Sequence, residues 1–151
     1  MKRIVFVCTG NSCRSVMAEG LFRKLIGDRA SEYLVSSAGI SAQDGYEASP
    51  ETVNVMQEEG IDVTDHQSQR LRFETIESAD RIFVMEKMHK EWILRMSPQS
   101  AGKVHLLTEF ADKDEFTGTP DIPDPIRMSP NFYKNVLAVI RRCIENLVKT
   151  L

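Results

Sequence analysis

Residues 4–15 read Ile4-Val5-Phe6-Val7-Cys8-Thr9-Gly10-Asn11-Ser12-Cys13-Arg14-Ser15. The run 4–7 is continuously apolar and rich in β-branched residues, as expected of a strand buried on both faces of a parallel sheet. It stops at Cys8 in a polar loop. Beyond the loop, Met17, Leu21, Phe22 and Leu25 recur at helical spacing, and Gly27 suits a helix C-terminus. Strand, short loop and helix in that order are the opening of an α/β fold.

The same alternation continues along the chain. Residues 33–36 form a second short strand, and Ser49, Pro50 and Glu51 supply an N-cap, a first-turn proline and an acid matched to the dipole of a helix that closes at Gly60. Residues 81–85 read as the third strand, the segment holding Trp92, Ile93 and Met96 as its helix, and 104–107 as the fourth strand. Residues 111–130 turn polar and carry Pro120, Pro123, Pro125 and Pro130, which makes them a long surface loop. Ser129 and Pro130 then start a last helix whose apolar face is traced by Phe132, Val136, Val139, Ile140, Cys143 and Leu147. The expected architecture is one α/β domain over 1–151, a three-layer fold with a four-stranded parallel sheet flanked by helices. Ligands of such sheets bind beyond the carboxyl ends of strands, so the loop after the first strand is the leading site.

Composition bounds the possibilities. With 151 residues, 42% hydrophobic and 27% charged, the chain fits one globular domain and excludes collagenous, mucin-like and disulfide-scaffold classes. Nineteen Lys and Arg against 22 Asp and Glu give a net charge of -3, which argues against a dedicated nucleic-acid binder or a polybasic membrane anchor. The N-terminal apolar run is too short for a signal-peptide core, and no stretch approaches the ~20 apolar residues that cross a bilayer. A cytoplasmic monomer is the expectation. Three cysteines cannot all pair within one chain, which turns attention to reactivity or plain burial.

The loop itself carries chemistry. Five residues separate Cys8 from Arg14, and a loop of that length between strand and helix can turn its backbone N–H groups inward around an anion at the helix N-terminus. Gly10 and Asn11 tolerate the positive φ angles such a cradle needs. Arg14 adds a planar two-pronged donor suited to phosphate oxygens. Thr9, Gly10, Asn11, Ser12, Cys13, Arg14 and Ser15 are therefore the expected substrate-binding set. Cys8 lies beneath the cradle, where amides, Arg14 and the helix dipole favour the nucleophilic thiolate. Attack on phosphorus gives a cysteinyl-phosphate and divides ester hydrolysis into two easier steps. Asp124, on the proline-rich loop and stiffened by Pro125, is the candidate acid for the leaving group and base for water, with Asp121 its nearest rival. The scheme calls for no metal and no cofactor.

CTGNSCRS after a buried strand, together with IPDP near the C-terminus, resembles the low-molecular-weight protein tyrosine phosphatase family over essentially the whole chain. The resemblance implies Cys8 as nucleophile, Arg14 as phosphate and transition-state clamp, and Asp124 as acid and base. It further implies that Ser15 steadies the thiolate, and that Asn11, Ser37 and His66 hold the phosphate loop in its strained shape. The expected partners are phosphorylated proteins, with a tyrosine or arginine kinase acting in the opposite direction.

Two positions bear on substrate. Many tyrosine-specific members carry an aromatic residue straight after the Asp-Pro pair, where this chain has Ile126. Bacterial protein-arginine phosphatases of the family carry a hydroxyl residue at the position of Ser12. The segment IPDPIRMSPNFY also resembles members acting on polysaccharide-export tyrosine kinases. Phosphotyrosine hydrolysis is the first expectation and phosphoarginine hydrolysis the alternative. Arsenate reduction, which in related enzymes needs relay cysteines beyond the loop, and phosphate binding without turnover are the remaining readings.

Plainer roles stand beside these. Cys13 either packs the loop or, as the resemblance implies, forms a reversible disulfide with Cys8, while Cys143 belongs to the core. His66 is read as a hydrogen-bonding support ahead of an exposed side chain or a catalytic base. His89 and His105 are expected to be structural or exposed. Trp92, Met85, Met88 and Met96 fit packing, and Asp112, Asp114 and Glu115 a solvated acidic face.

Overall fold

A computed structural model of the chain describes residues 1–112 and 120–151. Four strands, β1 (Lys2–Cys8), β2 (Tyr33–Gly39), β3 (Arg81–Val84) and β4 (Val104–Leu106), form one sheet in the order β2-β1-β3-β4 with every pair parallel. Helices α1 (Arg14–Ile26), α2 (Pro50–Glu58), α3 (Phe73–Ser78), α4 (Lys87–Met96) and α5 (Pro130–Lys149) flank it. The α/β fold, the four parallel strands and their order along the chain agree with the sequence reading.

β1 divides the core because alternate side chains of a strand face opposite ways. Ile4, Phe6 and Cys8 join α1, α2 and α5 on one side, where Phe6 meets Phe22 and Phe83 at centroid distances of 5.7 Å. Val5 and Val7 join Ile76 of α3 and Ile93 of α4 on the other. Both expected caps form. Ser49 Oγ accepts from Thr52 N–H at 3.2 Å, and Ser129 Oγ from Phe132 N–H at 3.2 Å, each followed by proline.

Several boundaries and faces differ from expectation. β2 runs three residues further, to Gly39, because Ser37 and Ala38 turn inward, whereas Leu107 leaves β4 for a 3-10 turn over Leu107–Phe110. The short helix α3 has too few turns to show a period in sequence. Leu25 is exposed, since Ala18, Phe22 and Ile26 complete the inner stripe of α1. Met88 and Met96 are likewise exposed rather than packed, while Met85 is fully buried. On α5 the inner face is Tyr133, Val136, Leu137, Ile140, Cys143, Ile144 and Leu147, which leaves Phe132 and Val139 at its margin. Asp112 does not stand alone in solvent but pairs with Arg142 and takes a hydrogen bond from Asn146 at 3.0 Å. Asp114 and Glu115 lie outside the described residues.

The sheet order places β1 between β2, which follows it, and β3, which comes later. Chain direction switches sides there, and the loops leaving β1 and β3 therefore open a crevice at their carboxyl ends.

Candidate active site

Residues 9–13 link the buried end of β1 to the first turn of α1, and their shape depends on Asn11. Its φ of 54° lies in the left-handed region, which a non-glycine residue holds only when its surroundings compensate. Gly10, expected to share that conformation, is not among the positive-φ residues. The compensation for Asn11 is complete. Its Nδ2 donates to Ser15 Oγ at 2.8 Å and Ser37 Oγ at 2.9 Å, and its Oδ1 accepts from Gln69 N–H at 2.9 Å. The carbonyl oxygen accepts a hydrogen bond from His66 Nε2 at 2.9 Å. Asn11, Ser37 and His66 thus meet at the loop.

The far side of the loop rests on the end of β2. Ile40 N–H donates to the Cys8 carbonyl at 3.0 Å and Ser41 N–H to the Thr9 carbonyl at 2.9 Å. A Cβ on Gly39 would stand 2.5 Å from the Thr9 carbonyl oxygen and 2.9 Å from the Asn11 nitrogen, so only glycine fits beneath the loop.

Cys8 is buried, and its Sγ lies 2.9 Å from Ser15 Oγ. Because Ser15 Oγ already accepts from Asn11, its own proton is left for the sulfur. The Asn11 backbone N–H also points at Sγ, at 3.3 Å. Two hydrogen-bonding groups and the N-terminus of α1 converge on one sulfur. Cys13 turns away from this point: its Sγ lies 3.4 Å from Ser49 Oγ and 3.6 Å from the hydroxyl of Tyr133, whose ionisation burial pushes up to about 12. All three cysteines are free thiols, and Cys143 is fully buried in α5.

Arg14 is buried too, and it draws distant parts of the chain together. Nη1 donates to Glu86 Oε2 and to the Ile122 carbonyl, both at 2.7 Å, while Nη2 stands 3.7 Å from Asp124 Oδ2. The Asp124 side chain remains 43% exposed and free to meet a ligand from outside. Its Oδ1 accepts from Ile126 N–H at 3.1 Å, which folds the Asp-Pro turn back on itself. Asp121, the rival acid, accepts from Lys87 N–H at 2.8 Å and so caps α4. Geometry thereby separates two carboxylates that sequence left side by side. Ile126 is exposed at this rim, and Ser12 is partly buried with its carbonyl accepting from Ser49 N–H at 3.1 Å.

Three contributors were not legible as such in sequence. Glu86 and His89 enter from the β3–α4 junction: Glu86 holds Arg14, and the fully buried His89 touches Thr9. Gln69 secures Asn11 from an irregular segment. Their only sequence signal is position, since residues that follow β3 must line the same crevice as those that follow β1. His105 is partly exposed, 3.6 Å from Glu109. Among the described residues no group of three His, Cys, Asp or Glu side chains is arranged to hold a metal ion, and no helix is long and apolar enough to cross a membrane.

The model of the family "low molecular weight phosphotyrosine protein phosphatase" matches residues 3–151. A probable low molecular weight protein-tyrosine-phosphatase of Ralstonia solanacearum is 37% identical over 145 residues, covering 96% of this chain and 92% of that protein. A protein-arginine-phosphatase of Bacillus subtilis is 35% identical over 149 residues, covering 98% and 95%. The crystal structure of the low molecular weight protein tyrosine phosphatase from T. tengcongensis superposes with a TM-score of 0.89 at 36% identity, over the full length of both chains.

Proposed function

This chain belongs to the low molecular weight phosphotyrosine protein phosphatase family, and from that premise we propose that Cys8, Arg14 and Asp124 carry the hydrolysis of a protein phosphoryl group. The chain is a phosphoric monoester hydrolase of the protein phosphatase class, and its substrates are phosphoproteins. The observation that carries the residue assignment is the convergence of Ser15 and the Asn11 N–H on the Cys8 sulfur, with Asp124 beside Arg14.

In the first step the Cys8 thiolate attacks phosphorus. An S–P bond forms, the bond to the leaving oxygen breaks, and the Asp124 carboxylic acid gives that oxygen its proton. Arg14 and the N–H groups of residues 9–15 hold the equatorial oxygens as charge spreads over them. In the second step the Asp124 carboxylate takes a proton from water, whose oxygen attacks phosphorus. The S–P bond breaks, the thiolate returns and inorganic phosphate leaves. Ser15 steadies the thiolate, and Asn11, Ser37 and His66 keep the loop in shape.

Phosphotyrosine is the primary substrate in this reading. Phosphoarginine is the second, favoured by Ser12 in the loop, by the exposed aliphatic Ile126 where an aromatic wall would flank a phenyl ring, and by similarity to the Bacillus subtilis protein. A nitrogen leaving group also needs a proton, so Asp124 serves either. Arsenate reduction finds little support, because the relay would fall to Cys143, fully buried in α5. The three free thiols suit a reducing cytoplasm, and we place a monomer there, opposed by a tyrosine or arginine kinase.

Paired turnover of phosphotyrosine and phosphoarginine peptides, with Cys8→Ser as the blank, tests both levels. Wild-type turnover lost in Cys8→Ser supports the thiolate mechanism, and activity retained by that variant overturns it. The preferred peptide then decides the substrate.

A further inference from the structure

One buried ionisable side chain has no part in the steps above. His89 is fully buried in the first turn of α4, and both of its ring nitrogens have partners. The Glu86 backbone N–H donates to Nδ1 at 3.0 Å, so Nδ1 presents its lone pair and the ring proton sits on Nε2. Nε2 lies 2.9 Å from Thr9 Oγ1 and is the donor there. A hydroxyl that accepts still has its own proton to place. Among the described residues no other protein group takes that proton, and Thr9, the first residue after the nucleophile, is partly open to solvent. Nε2 also stands 3.8 Å from Glu86 Oε2, the oxygen that holds Arg14, and Arg14 in turn faces Asp124 at 3.7 Å, which puts the pair on the side of the crevice where the leaving group departs in the proposed mechanism.

We propose that His89 is a positioning residue that, by donating to Thr9 Oγ1, obliges the Thr9 hydroxyl to donate to a phosphoryl oxygen on the Asp124 side of the loop. A free threonine hydroxyl would divide its orientations between donating and accepting, and an accepting oxygen would face a dianion. The locked hydroxyl adds a side-chain donor to the backbone cradle. The imidazole is suited to this because it is anchored at both ends: Nδ1 to the start of α4, Nε2 to the end of β1. The inference rests on the loop 8–15 being the phosphate site.

Substitutions that imitate one ring nitrogen at a time provide the test. His89→Asn can still accept from Glu86 but no longer reaches Thr9, whereas His89→Gln can extend an amide N–H toward the Nε2 position. Thr9→Val removes the hydroxyl at nearly constant shape. The quantities measured are kcat and KM on an aryl phosphate, corrected for folded enzyme by the phosphoenzyme burst, and the inhibition constant of inorganic phosphate. His89→Asn and Thr9→Val should each lower kcat roughly tenfold, the loss expected of one hydrogen bond to a charged group. Combining them should cost no more than the larger single effect, and His89→Gln should recover most of the rate. Multiplicative losses in the double variant, or wild-type kcat in Thr9→Val, would overturn the proposal. A wild type without turnover would instead sink the catalytic reading, while weaker phosphate inhibition in both single variants would still uphold the role of His89.

Discussion

Arg14 is a charged side chain with almost no exposure, and such groups are found where partners compensate them. Glu86 supplies the negative charge at 2.7 Å and the Ile122 carbonyl a second acceptor. On the proposed role of Arg14, then, the clamp is already neutralised before phosphate arrives, and a dianion would share the guanidinium with Glu86. Glu86→Gln keeps an acceptor but removes that competing charge, so inorganic phosphate should inhibit the variant severalfold more tightly. Equal or weaker inhibition would show that Glu86 matters only as a hydrogen-bond anchor. Asp124 has the opposite character, half-exposed and within 3.7 Å of Arg14. In phosphoenzyme formation Asp124→Ala should slow substrates with poor leaving groups by about 10²- to 10⁴-fold and spare nitrophenyl phosphate, whose leaving group needs no proton; phosphoenzyme hydrolysis should slow alike for all, so burst rates are compared. A uniform loss across a leaving-group series would remove it as the acid.

Among the elements, the end of β2 packs directly against the loop that follows β1. Gly39 lies under backbone atoms, which cannot rotate away as a side chain would. Gly39→Ala should therefore cost about 1–3 kcal/mol in urea unfolding and reduce kcat/KM at least tenfold by lifting Thr9 and Asn11. Loss of stability with full activity per folded molecule would mean that the loop is indifferent to this support. The alternating strands and helices, both proline-flanked caps and the loop itself were readable in sequence, because their signals are local: a β-branched run, Ser-Pro, Cys and Arg at a fixed spacing. The strut made by Gln69, the clamp made by Glu86 and the removal of Asp121 to the start of α4 were not. Those three depend on which strand lies beside β1, and nothing in a run of residues states that. Leu25 and Val139 were misplaced for a related reason, since helical spacing marks a stripe but not where a neighbouring helix stops covering it.

For the molecule as a whole, burial of neutral His89 links stability to pH. Burial, followed by the charge of Arg14, lowers its pKa from 6.5 to about 4, partly offset by Asp121 and Asp124. Between those values the unfolded chain holds a proton that the folded chain lacks. Stability accordingly falls as pH drops from about 6.5 toward 4 and is flat in this respect above 7. The unfolding midpoint of the wild type should decline more steeply between pH 7 and pH 5 than that of His89→Gln. Parallel curves would mean that burial does not depress the imidazole pKa in the native state.

The bond from Arg14 to the Ile122 carbonyl spans 108 residues, and this separation has a consequence during synthesis. A ribosome adding roughly 5–20 residues per second delivers the second partner about 5–20 s after the first. For that interval the cysteine is present without the segment that bears its acid. A nascent chain stalled before residue 120 would be a thiol with part of a cradle and no means of protonating a departing group. On the proposed roles, catalysis waits until the chain has been made through Asp124.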